Sequence, residues 1–74
     1  MPRMPRVTAN LVIRALRRDG WQTIGMAGSH VQMTHATKMG KVTIPMHRGI
    51  VKPGTLASIV KQASLTIDQF RDLL

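Results

Sequence analysis

The chain contains no cysteine, and aspartate and glutamate together number three among 74 residues. The first absence excludes disulfides, thiolate metal sites and cysteine nucleophiles, and it fits a reducing compartment such as the cytosol. The second leaves no cluster of carboxylates for acid and base catalysis. There is also no glycine-rich phosphate loop and no apolar run long enough to cross a bilayer, and the opening "MPRMPRVTAN" lacks the apolar core of a signal peptide. The expectation is a soluble, cytoplasmic protein with no membrane partner. If it is an enzyme, most of its chemistry falls to histidine, of which there are three.

What the sequence does have is positive charge. Eleven Lys and Arg give a formal net charge of +8, a surplus that argues for a polyanionic partner, with nucleic acid ahead of an acidic protein. Charge also keeps a small domain soluble, so it says nothing by itself about specificity. The length suits one domain over residues 1–74, near the size at which a single core is only marginally stable; self-association or a partner protein would support it.

"TANLVIRALRRDG" reads as a helix with Thr8 as N-cap and Gly20 as stop. Ala9, Val12, Ile13 and Leu16 form its apolar stripe, and Arg14, Arg17 and Arg18 its wet face. The period then changes to alternation in "WQTIGM", "HVQMTH" and "KVTIPM", which predicts three strands in an antiparallel meander. Val31, Met33, Val42, Ile44 and Met46 form the apolar set. Pro45 cannot donate to a ladder and marks an edge or a strand end. "TLASIVKQA" predicts a second helix capped by Thr55, with Leu56, Ile59, Val60 and Ala63 inward. "LTIDQFRDLL" predicts a short last helix with a capping box of Thr66 and Gln69 and a staple between Leu65 and Phe70. The resulting α+β order, helix, three-stranded antiparallel sheet, helix, short C-terminal helix, with two helices on one sheet face, is that of a double-stranded RNA-binding domain. Topology alone does not assign function.

Three segments carry a family resemblance: "GSH" at 28–30, "VTIPMHRG" at 42–49 and "KPGTLASIVKQASLT" at 52–66. In order and spacing they resemble the HicA family of bacterial mRNA interferase toxins, over essentially the whole chain. The resemblance implies a double-stranded RNA-binding-like fold, ribonuclease activity on mRNA, and a HicB-like antitoxin covering the active face, with a homo-oligomer or a hetero-oligomer with the antitoxin as candidate assemblies. It also implies that His30, at the position of the motif's histidine, is catalytic. Val31, where another histidine or an aromatic is frequent, and Ser64, where glycine is frequent, depart from the common pattern without removing a catalytic group.

The residues themselves support this reading independently. Gly28 and Ser29 allow close backbone approach by a phosphate, and alternation places His30 on the open sheet face. An imidazole can take and give a proton near neutral pH, while RNA brings its own nucleophile, the 2′-OH, so the scheme needs no metal and no cofactor. A lone strand histidine is otherwise more often structural. His47 falls in phase with Lys41 and Thr43, and is a candidate second proton-transfer group, a phosphate contact or a turn residue. Lys41, Arg48 and Lys52 are candidate RNA-phosphate contacts, or plain surface charges. His35 shares the phase of Val31 and Met33 and is expected at the core's edge, with Trp21 as a core anchor. No pair of histidines has helical ligand spacing, which argues against zinc. Two rival functions use the same features: a non-catalytic RNA-binding module, and an adaptor whose basic surface docks an acidic protein.

Overall fold

The computed structural model describes residues 3–74; the first two residues of the expected domain lie outside the described residues. The Thr8 hydroxyl accepts the Leu11 N–H at 3.3 Å and starts α1 (Ala9–Arg18). Val12, Ile13 and Leu16 are buried as the periodicity predicts, and Ala15 joins them. Gly20 ends the turn after α1 with φ +104°; a Cβ there would be strained and would lie 2.7 Å from His35 Nε2. The chain then forms β1 (Trp21–Ala27), β2 (His30–His35) and β3 (Val42–Pro45), an antiparallel meander in that order. Gly28 has φ +60° and Ser29 has negative φ, the signs of a type II′ hairpin turn, for which glycine is the favoured first residue.

Alternation holds on β2 and β3, where Val31, Met33, Val42 and Ile44 are buried. It fails on β1: Trp21 is buried, and the six residues after it are all exposed. A bulge at Ile24 shifts the register between Thr23 and Gly25, and the hairpin runs past the helices that cover the rest of the sheet. β3 is shorter than the alternation predicts, although the Met46 N–H still reaches the Ser29 carbonyl at 2.8 Å.

The second helix, α2 (Pro53–Gln62), begins three residues before the start that a Thr55 cap predicts. Its N-cap is Lys52, with no side-chain capping bond, and Thr55 sits inside the first turn. The cause is Pro53 at the first helical position: its fixed φ suits the helix, and its missing N–H would have been unpaired there. Leu56, Ile59, Val60 and Ala63 face inward as expected. The helix closes on Ser64, at φ +58°, with Leu65 N–H bonded to the Val60 carbonyl and Ser64 N–H to that of Lys61. These two bonds make a Schellman end, which normally takes glycine at the left-handed position. The capping box of Thr66 and Gln69 is fully formed at the start of α3 (Ile67–Asp72).

One apolar cluster joins α1, the inward sheet face, α2 and Phe70, with Trp21 fully buried in it as a core anchor. The indole Nε1–H of Trp21 is buried without an acceptor. The arginine face of α1 is not wholly free. Arg18 donates to the Leu73 carbonyl at 2.6 Å and so ties α1 to the end of the chain, and Arg17 reaches the Thr23 hydroxyl at 3.5 Å.

β3 is an edge strand, and its outward side offers no free N–H donor. The Thr43 N–H points away from β2 and donates to Gln62 Oε1 at 3.1 Å, while Pro45, the next outward residue, has no N–H. Helix α2 thus lies beside the sheet as well as beneath it.

Candidate active site

His30 opens β2 directly after the hairpin turn and pairs with Pro45 across to β3. Its neighbour Val31 is buried, so His30 projects from the opposite face, where it is exposed. That face is not the open plane that alternation suggests. The flank of α2 rises alongside β3, and His30, Thr43 and Pro45 share a shallow groove of about 430 Å³ with Thr55, Ser58 and Gln62. Its other side-chain polar groups are the hydroxyls of Thr43, Thr55 and Ser58 and the amide of Gln62. Within the groove, Gln62 Nε2 lies 3.4 Å from Ser58 Oγ.

His47 follows β3 and turns into a second concavity of about 420 Å³, which it lines with Pro45, Arg48, Lys52 and Thr55. The two hollows meet at Pro45 and Thr55, which line both. The basic loop is held by backbone pairing to the start of α1: Thr8 bridges Ile50, and Val51 N–H donates to the Val7 carbonyl at 2.8 Å. The structure therefore sets a histidine groove of neutral polar groups beside a cationic hollow, an arrangement that can seat an anion's charge next to a proton-transfer group.

The other residues singled out in the sequence fall as follows. Gly28 and Ser29 form the exposed turn leading into His30, with the Ser29 carbonyl engaged by Met46. Lys41 precedes β3 at the end of that strand away from Pro45, so it does not border either hollow. His35 is bound into the fold: Nδ1 accepts the N–H groups of Thr37 and Lys38 at 3.1 and 3.2 Å. That assigns its proton to Nε2, which donates to the Asp19 carbonyl at 2.6 Å, and the ring stands edge-on to Trp21. Among the described residues no three His, Cys, Asp or Glu side chains are grouped to hold a metal ion.

Ser58 and Gln62 are not marked by any motif. In sequence they are two polar residues four apart on an amphipathic helix, the usual pattern of a solvated face. The outward N–H of the edge strand gives the Gln62 carbonyl oxygen a partner that the helix alone does not supply.

The family model described as the HicA toxin of bacterial toxin-antitoxin matches residues 10–65, from α1 through the end of α2. The match covers more than half of the chain and places it among the toxins of toxin-antitoxin systems. This chain is a member of the HicA toxin family. Membership implies an antitoxin partner. A search of curated proteins finds no match. No helix among the described residues is long and apolar enough to span a membrane.

Proposed function

We propose that this toxin is an endoribonuclease that cleaves mRNA without a metal, in the cytoplasm, with His30 as a general acid or base. The observation that carries this reading is the exposed imidazole of His30 in a polar groove that adjoins the hollow of His47, Arg48 and Lys52. In the reaction, the 2′-OH of a ribonucleotide attacks the adjacent phosphorus and the bond to the 5′-oxygen breaks. One proton leaves the attacking oxygen and one reaches the leaving oxygen, and histidine is suited to either transfer. Arg48 and Lys52 would hold the backbone, with His47 as a phosphate contact or the second proton-transfer group. Gly28 and Ser29 would allow the phosphate to approach the hairpin turn. Lys41 would contact the strand farther along. A HicB-like antitoxin would act by covering this face.

The test is to incubate the purified protein with mRNA in EDTA and analyse the fragment ends. Cyclic or 3′-phosphate upstream and 5′-OH downstream are expected. Cleavage that stops on chelation would overturn the mechanism. Binding with no cleavage would favour the non-catalytic RNA-binding module.

A further inference from the structure

The hydrogen bonds along the outer flank of α2 begin on the sheet. Thr43 N–H binds Gln62 Oε1, which decides which end of the Gln62 amide faces the strand. The Nε2 end is therefore turned along the helix toward Ser58, where it meets the hydroxyl as a donor. A hydroxyl that accepts in this way still has its own proton to give. Among the described residues no protein group takes that proton, and Ser58 lines the same groove as His30. Ser58 is exposed, and its hydroxyl meets an amide whose orientation is set from the strand edge.

Attack on a phosphodiester places growing negative charge on the nonbridging phosphate oxygens, and oriented donors at those oxygens lower the barrier. The groove around His30 is lined by no lysine or arginine, and the cations nearest to it line the adjoining hollow, so the donors inside the groove are neutral hydroxyl and amide groups. Resting on the ribonuclease reading above, we propose that Ser58 donates to a nonbridging oxygen of the scissile phosphate. Gln62 is the positioning residue that directs the hydroxyl, through its bond to Thr43. Ser58 keeps its proton throughout, and the bonds made and broken are those already given.

The experiment compares wild type, Ser58→Ala, Ser58→Thr and Gln62→Met on an RNA carrying one phosphorothioate at the cleavage site, with each diastereomer used separately. Ser58→Ala should lower kcat on the order of a hundredfold with KM little changed. It should also abolish a slowing that wild type shows for one diastereomer only. Ser58→Thr should restore both the rate and the diastereomer preference. Gln62→Met should reproduce the Ser58→Ala kinetics, and its melting temperature separates this effect from loss of the strand contact. A wild-type rate in Ser58→Ala, or the same diastereomer preference in wild type and Ser58→Ala, would overturn the proposal. A wild-type protein that cleaves no RNA would instead overturn the ribonuclease reading, and this proposal with it.

Discussion

Lys38 Nζ lies 2.5 Å from Asp19 Oδ2 and 3.1 Å from the Ala63 carbonyl, so one ammonium group joins the end of α1, the loop before β3 and the end of α2. Both side chains of the ion pair are about three-quarters buried, at 24% and 22% exposure, which limits screening by solvent. Of the eleven basic residues, this is the one that an acidic side chain neutralises in a salt bridge among the described residues. Its role is to fasten the helices and the sheet at one corner.

Lys38→Met should therefore destabilise the protein by about 1–2 kcal/mol, the range of a charged hydrogen bond lost from a partly buried site. In a domain of this size each kcal/mol moves the melting temperature by roughly 4–8 °C. A thermal melt checks this. Asp19→Asn in the Lys38→Met background should add less than it does alone, because the two changes remove one interaction.

The two histidines of β2 should behave oppositely. His35→Ala removes the acceptor of two backbone N–H groups and the donor to Asp19, and should cost about 1–3 kcal/mol. His30→Ala changes an exposed side chain and should shift stability by about 0.5 kcal/mol or less. Its cleavage rate should nevertheless fall by a factor on the order of a hundred to ten thousand. Melting curves and rates on the same preparations test both statements.

Ser64→Gly should stabilise the fold. A residue with a Cβ held in the left-handed region carries a penalty of roughly 1–2 kcal/mol, offset in part by the greater freedom that glycine has when unfolded. The expected net gain is about 0.5–1 kcal/mol, read as a higher urea midpoint with an unchanged slope.

RNA affinity should fall steeply with salt. Neutralising Arg48 and Lys52 together should reduce the slope of log affinity against log salt by about 1.4, the value for two contacts to a single strand. Lys41→Gln, at the far end of β3, should change the slope by less than that pair. Titrations at several salt concentrations distinguish these outcomes.

The helices and the sheet were legible in the sequence because their signals are local. Thr8, Gly20, the alternation through Val31 and Met33, and the Thr66–Gln69 box each specify a structure within a few residues. Thr55 misled because a good capping residue lay two positions after Pro53, and the proline's fixed backbone decides the start. β1 misled because alternation reports which residues share a face, whereas burial also needs a helix above them, and none covers the far end of the hairpin. The exposed place of His30 at the mouth of β2 was legible through its turn. The groove around it was not, because the amide of Gln62 gains its strand partner only when the edge of β3 comes to rest beside α2. His47 keeps the phase of β3 in sequence, but the strand stops at Pro45 and the chain carries the imidazole into the neighbouring hollow.

The two margins of the sheet have different consequences for assembly. At β3 the outward donors are used up by Gln62 or absent at Pro45, whereas β1 leaves its margin bare, with Ile24 and Met26 exposed. Strand pairing between copies is then favoured at β1, where a β1-to-β1 contact would join two molecules. A filament needs two adhesive margins per molecule. Among the described residues β1 offers a full margin, while at β3 the missing donors weaken strand addition and leave the Thr43 and Pro45 carbonyls as acceptors.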